Sequence, residues 1–326
     1  MRKKGVAKRT RNTVLDPFSG YVKIKAPDVF SFIKEPEKVS GFIGKLKNQF
    51  KQNKKVFVVL RDVEIIDYSA IVVLLSIMVR FKAKNLQFNG DFPRNQLAAE
   101  IIKRSGFFEK LEIGENDRFQ ITPKKGDGIF THSWKRVDPQ LTARLIENAS
   151  ITIWGKALRR QGVQRSLIEL MQNTHNHADK TSEAIMDWWV SVHHDRESRR
   201  VSFSFVDYGI GVFKSLEGKS SGNKFFGWKE KVKEVFTFKN NADLLRKILE
   251  GELHRTVTGK PFRGKGLPGI REVMEQNWIS NLHVITNDVF ANVGAGEFRT
   301  LDFPFQGTFI YWEVGAENLE VGEKNG

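Results

Sequence analysis

Glu169 and Asn173 stand four residues apart in the run RSLIELMQNTHNHA, whose apolar spacing reads as a helix. On a helix that spacing puts the carboxylate and the carboxamide on one face, about one turn apart. There a carboxylate can orient a water or hydroxyl, and a carboxamide carbonyl can coordinate a hard cation such as Mg²⁺. His177, four residues further on, shares the face. A second acid, Asp207, ends the strand-like run RVSFSFVD and precedes Gly209 and Gly211. That pattern offers a hydrogen-bond acceptor beside a backbone that a flat ligand can approach closely. Gly264, Lys265, Gly266, Leu267 and Gly269 lead into the helical pattern IREVMEQN. Glycines before a helix expose N–H groups at the positive end of its dipole, a setting that suits phosphates. Thr308, after Gly307, begins a late strand pattern. Each pattern alone is common by chance. A Rossmann reading of GKGLPG is disfavoured, because no strand closely precedes it and no acid follows about 20 residues on.

The elements that must position these residues follow from periodicity. In the first third, Val56 to Leu60 reads as a buried strand, Ala70 to Ala83 as a helix with an apolar face, Leu86 to Phe88 as a short strand, and Asn95 to Ser105 as a helix stopped by Gly106. Residues 116–139, punctuated by Pro123, Gly126, Gly128 and Pro139, read as a linker. Two helices are predicted near 140–160 and 163–177, broken near Gly162, then a hairpin of Ala184 to His194 and Arg200 to Asp207 across the turn DRES. A helix near 241–250 and strands at 281–287, 297–303 and 308–314 complete the pattern.

The order of the four motifs, ExxxN on a helix, DxGxG after a strand, GxGLxG opening a helix, and a terminal GT, resembles the GHKL ATP-binding family of gyrase, chaperone, mismatch-repair and histidine kinase ATPase domains. The resemblance covers about residues 140–315. It implies a Bergerat-type two-layer α/β sandwich in which a mixed sheet holds ATP between helices and a lid, here residues 212–263. It also implies Mg²⁺ on Asn173, Glu169 as general base, His177 as a polar neighbour, and Asp207 as acceptor of the adenine amino group with Gly209 and Gly211 shaping its pocket. Gly264, Lys265, Gly266, Leu267 and Gly269 would close on the phosphates, and Thr308 would fix the adenine edge. Residues 56–112 resemble a STAS domain, the fold of the anti-sigma antagonists phosphorylated by GHKL serine kinases. Asp67-Tyr68-Ser69-Ala70 matches that acceptor turn except that Ala70 replaces its glycine. The plainer reading of Ser69 is an N-cap for the helix starting at Ala70.

The resulting expectation is an α/β chain of two domains: a basic tail (1–13), a STAS-like domain (14–115), a linker (116–139), the ATP-binding domain (140–316) and a short tail (317–326). Its function would be Mg·ATP binding with slow hydrolysis or serine phosphotransfer, as a regulatory switch acting on a protein partner or a second copy. No phosphoacceptor histidine has the setting a sensor kinase needs, since neither His132 nor His254 is followed by an acid. Too few residues follow the last strand for a gyrase-like transducer. The alternative is a non-catalytic interaction protein with ATP as structural ligand and the basic N-terminus holding nucleic acid or an acidic partner.

Charge is uneven. The chain of 326 residues has a formal charge of +15, and residues 1–60 carry 15 Lys and Arg against 4 Asp and Glu. The half bearing the motifs, residues 141–326, carries 25 against 23, so its polyanion would be a single nucleotide gripped by a few residues. Absence of cysteine excludes a disulfide framework and a thiolate nucleophile and suits a reducing compartment. No apolar run approaches the ~20 residues of a membrane span, and no secretory signal is read, so a cytoplasmic location is expected. Trp188 and Trp189 should face opposite sides of a strand, one in the core and one at a surface or interface. His193 and His194 should likewise diverge, and with His175 and His177 are not expected to form a metal cage. The Lys-rich stretch from Lys214 to Lys239 reads as a solvated face.

Overall fold

A computed structural model describes residues 17–113, 128–134, 137–176, 187–209, 211–213, 240–252 and 266–318. The basic tail, His177, Gly264, Lys265, the stretch 214–239 and residues 319–326 lie outside the described residues.

The N-terminal module is built on parallel pairing. Strands β1 (Val22–Lys25), β3 (Val56–Val59) and β5 (Phe88–Gly90) form a sheet with β3 in the centre, and β2 (Val29–Phe30) pairs β4 (Ile65–Ile66). Helices α1 (Pro36–Lys51), α2 (Tyr68–Ala83), α3 (Gln96–Arg104) and α4 (Phe107–Ile113) complete it. Asn95 caps α3 by accepting from Ala98 N, and Gly106 at φ 81° separates α3 from α4.

The second half presents a five-stranded sheet in the order β6 (Gly128–Trp134), β7 (Asp187–Asp195), β8 (Arg200–Asp207), β10 (Glu297–Val314), β9 (Ser280–Asn292). Every neighbouring pair is antiparallel, so the sheet is not the mixed one expected. Helices α5 (Pro139–Trp154), α6 (Gln161–Asn176), α7 (Asn241–Leu249) and α8 (Gly266–Glu275) cover one face.

Several expectations are corrected. Residues 128–134, read as linker, form the edge strand β6 against β7, where Tyr68 of α2 and Ser105 crowd Gly128 so closely that a Cβ would meet them at 2.5 and 2.6 Å. The break between α5 and α6 falls at Gly155, left-handed at φ 73°, rather than at Gly162. Gly162 lies inside α6, where a Cβ would sit 2.0 Å from the Trp278 ring. Helix α7, placed within the lid, buries Ala242, Leu245 and Leu249 in the helix-side core and is structural.

The two halves do not have separate cores. Every α2 residue from Tyr68 to Val79 is buried, as is Phe81, so this helix is apolar all round rather than on one face. A helix of that kind needs partners on every side. It has the small parallel sheet on one side and the five-stranded sheet on the other, in a cluster that runs from Ile24 and Val58 through Val72 and Leu75 to Trp189, Val206 and Phe309. The large sheet is therefore covered on both faces, by α5–α8 on one and by the N-terminal module on the other. Trp188 lies in the helix-side cluster and Trp189 in the module-side cluster, both at most 1 % exposed. His193 stacks on Tyr68 with ring centroids 3.9 Å apart, while His194 Nδ1 lies 2.8 Å from Thr152 Oγ1 on the other side. Among the described residues no helix is long and apolar enough to cross a membrane.

Because Phe309 is fully buried and packs on Phe32 at 4.8 Å across the contact, Phe309→Ala should cost about 3–5 kcal/mol. Denaturation followed by tryptophan fluorescence and by hydrogen exchange of α2 should show one shared transition, shifted together in the variant. Separate transitions for the two halves would contradict a shared core.

Candidate functional site

Strand alternation carries Asp207 to the helix-covered face. Val201, Phe203 and Phe205 of β8 all enter the helix-side cluster, and Asp207 continues their row. Its Cα partner on β10 is Thr308, and the partner of Thr308 on β9 is Thr286. Asp207, Thr308 and Thr286 thus form a row of hydrogen-bonding side chains across three strands at one end of the sheet. Thr286 Oγ1 donates to Gly307 O at 3.1 Å, accepts from Val212 N at 3.1 Å, and lies 3.3 Å from Thr308 Oγ1. With the Thr286 proton directed to Gly307, the contact between the hydroxyls has Thr308 as donor. Asp207 Oδ1 accepts from Gly209 N at 2.8 Å, an Asx-type turn that reverses the chain as β8 ends.

Two glycines are fixed by close approach. At Gly307, with φ 128°, a Cβ would lie 2.1 Å from the Asp207 carbonyl oxygen, so β10 can lie against β8 here only without a side chain. At Gly211, with φ 78°, a Cβ would lie 2.3 Å from Asn287 Oδ1, which accepts from Phe213 N at 3.4 Å. Gly209 is looser, with Asp207 Oδ1 3.0 Å from the position of a Cβ.

On α6, Val163, Leu167, Leu170 and Met171 enter the core and carry Glu169 and Asn173 on the flank. Glu169 is 8 % exposed, and its Oε1 accepts from Arg165 Nε at 2.8 Å. Asn173 is partly exposed. Among the described residues no group of three or more His, Asp or Glu could hold a metal ion unaided. The Asn173 carbonyl is a hard oxygen donor that fits Mg²⁺ only where phosphate oxygens and waters supply the other ligands. Gly266 opens α8, and Leu267 and Gly269 are buried in its first turn. The row residues Thr286 and Asn287 were not singled out from sequence. Their signal is a polar pair, TN, interrupting the apolar strand LHVITNDVF.

A second constellation lies where the module meets the sheet. Asp67, not Ser69, is the N-cap of α2, accepting from Ser69 N at 3.0 Å and Ala70 N at 3.3 Å. The Ser31 and Ser69 hydroxyls both donate to its carboxylate, and Ser69 Oγ accepts from Phe32 N at 2.9 Å. Ser69 is 1 % exposed, so the acceptor-turn hydroxyl is enclosed. A cavity of about 420 Å³ beside it is lined by Asp67, Tyr68, Arg104, His193 and Tyr311 among others. Burial pushes the Asp67 carboxyl above its usual range, opposed in part by the hydrogen bonds from Ser31 and Ser69.

Comparisons with protein-family models, with curated proteins and with solved structures found no match.

Two outcomes follow from this geometry. Gly307→Ala should destabilise by about 3 kcal/mol or more in denaturant titrations, against about 1 kcal/mol for Gly296→Ala. Gly296 also has positive φ, at 67°, but has open space around it. Asp67 binds its proton more tightly folded than unfolded, so its contribution to stability is fully present below about pH 4 and is lost as pH rises through the raised folded value. Asp67→Asn keeps the capping oxygen and should flatten that decline. An unchanged pH profile would show that Asp67 does not titrate upward.

Proposed function

We propose that the chain binds Mg·ATP in the manner of the GHKL family and transfers the γ-phosphate slowly, to water or to a protein hydroxyl, as a cytoplasmic regulatory switch joined to a STAS-like module. The observation that carries the proposal is the row Asp207–Thr308–Thr286. An acid and two hydroxyls lie side by side at the end of an otherwise apolar sheet, and glycines at 307 and 211 keep the backbone there bare. An adenine amino group pairs with a carboxylate acceptor of this kind. Two further features support the reading: Glu169 and Asn173 lie one turn apart on a helix packed over the same face, and α8 begins in glycines.

In this reading Asp207 and Thr308 orient the base, and the Asn173 carbonyl would hold Mg²⁺, which would supply charge neutralisation at the phosphates. Glu169 orients the attacking water or hydroxyl and takes its proton. Gly266, Leu267 and Gly269 give N–H groups at the α8 N-terminus to phosphate oxygens.

One observation favours a second reading. Arg165 Nε donates to Glu169 Oε1 at 2.8 Å, which ties up an oxygen that would orient the nucleophile and suits ATP as a structural ligand for partner contact. The tail and the basic N-terminal region would then supply attraction for nucleic acid or an acidic partner.

Calorimetry with Mg·ATP tests the site. Asp207→Asn should weaken binding by about 10- to 100-fold, the loss of one charged hydrogen bond. Wild-type affinity in that variant would remove the adenine assignment. Glu169→Ala should keep binding and lose turnover by about 10²-fold or more. With ATP labelled at the γ-phosphate, label appearing as free phosphate, on Ser69 or on a partner separates the outcomes, and no turnover at all selects the second reading.

A further inference from the structure

Tyr208 lies inside the DYGIG motif, directly after Asp207, yet its side chain leaves the sheet on the opposite face. It is 7 % exposed and enters the core shared with the N-terminal module. Its ring lies between two cations of that module, with Lys47 Nζ 4.3 Å and the Arg80 guanidinium carbon 4.1 Å from the centroid. Its hydroxyl is 2.5 Å from Ser76 Oγ on α2. Ser76 Oγ donates to Val73 O at 2.8 Å, and the Tyr208 hydroxyl also reaches that carbonyl at 3.3 Å, so the phenol is tied to α2 through both groups. Lys47 also donates to Gln306 O at 2.9 Å, the carbonyl just before Gly307 and Thr308.

The backbones bearing both ends of the candidate base site are therefore held from beneath by one module. Asp207 is anchored through Tyr208 to α2, and Thr308 through Gln306 to α1. They also touch each other, since the Asp207 carbonyl leaves no room for a Cβ at Gly307. On the same underside, Phe305 and Phe309 pack on Phe32 at 5.1 and 4.8 Å. A displacement of α1 or α2 would thus reach the backbones that set the spacing of the Asp207 carboxylate and the Thr308 hydroxyl.

We propose that Tyr208 is a positioning residue that ties the Asp207–Thr308 row to helices α1 and α2, so that the N-terminal module sets affinity and base discrimination at the nucleotide site. This rests on the nucleotide reading of that row. By linkage, nucleotide bound at the row strengthens the module's grip on the sheet by the same factor.

The test uses the full chain with Mg·ATP and Mg·GTP as probes. Tyr208→Phe removes one hydroxyl and keeps the ring; Ser76→Ala removes its partner 132 positions away in the sequence. Each should weaken Mg·ATP binding by about 3- to 10-fold and narrow the preference for ATP over GTP. The double variant should lose no more than Tyr208→Phe alone, the signature of one shared interaction. Lys47→Met should act in the same direction through Gln306. Val56→Ala, a cavity in the small sheet, serves as control: it should lower the melting temperature and leave affinity unchanged. Without nucleotide, amide exchange at 207–209 and 307–309 should quicken in Ser76→Ala and not in Val56→Ala. The proposal is overturned if the Tyr208 and Ser76 variants bind Mg·ATP like wild type, or if exchange at those amides does not change. If wild type binds neither nucleotide, the nucleotide reading fails as well, and unchanged exchange separately removes the mechanical tie.

Discussion

Helix α2 has no solvent side, and the rest of the architecture follows from that. From Tyr68 to Val79 the helix is buried all round, and its polar members are each satisfied locally: Ser69 through Asp67, Ser76 through Val73 and Tyr208. At roughly 25 cal/mol per Å² of apolar surface, covering only one side would leave several large side chains in water at a cost of several kcal/mol. The small parallel sheet can cover one side. The other requires a second sheet, and the module-facing side chains of β7, β8 and β10 supply it. Docking of the module onto the sheet is thus demanded by the composition of one helix, with the Glu37 contacts to Arg299 and the Asp302 amide adding direction at the rim.

Covering the sheet on both faces changes what its residues can do. In a sheet with one wet face, alternate positions are polar and tolerant. Here Val190 and Trp189, or Phe205 and Val206, enter two different cores, so both registers of each strand are under packing constraint. His194 has Thr152, and Thr286 has Val212, Gly307 and Thr308. The row at Asp207 stands where β8 ends and the ladder between β9 and β10 is interrupted by bulges between Thr300 and Thr308, around Pro304. A proline cannot donate to the ladder, so the irregularity is written into the sequence at that point.

Much of the local structure was legible because it depends on short-range pattern. The hairpin of β7 and β8, helix α3 with its stop at Gly106, helix α7 and the opposed rings of Trp188 and Trp189 follow from periodicity and turn chemistry alone. Their surroundings were not legible. The continuous apolar run of α2 looked like one apolar face because periodicity cannot tell how many sides are covered. Strand β6 was hidden by the glycines and prolines around it; its edge position and its partner β7 lie some 60 residues apart in the chain. The Asp67 cap is masked in the sequence because Tyr68 and Ser69 separate it from the apolar run that starts at Ala70. Within the candidate site, Glu169, Asn173, Asp207 and Thr308 were found by residue type and spacing. Thr286 and Asn287 sit in an unremarkable strand and become visible only when β9 is laid beside β10.

The alternation of a strand makes neighbours in sequence into residents of different layers, and at Asp207 and Tyr208 that geometric fact has a chemical consequence. Whatever the carboxylate of Asp207 holds on the helix face is separated by one backbone unit from a phenol locked into α2 on the other. A loop-borne site could relax independently of the layer behind it. A site at the end of a buried strand cannot, because rotating the strand to accommodate a ligand would draw Tyr208 off Ser76 and out from between Lys47 and Arg80. The close contact of Gly307 with the Asp207 carbonyl extends this constraint to the neighbouring strand. The sheet therefore behaves at this end as a rigid partition, in which a shift of the backbone at Asp207 moves side chains on both faces together.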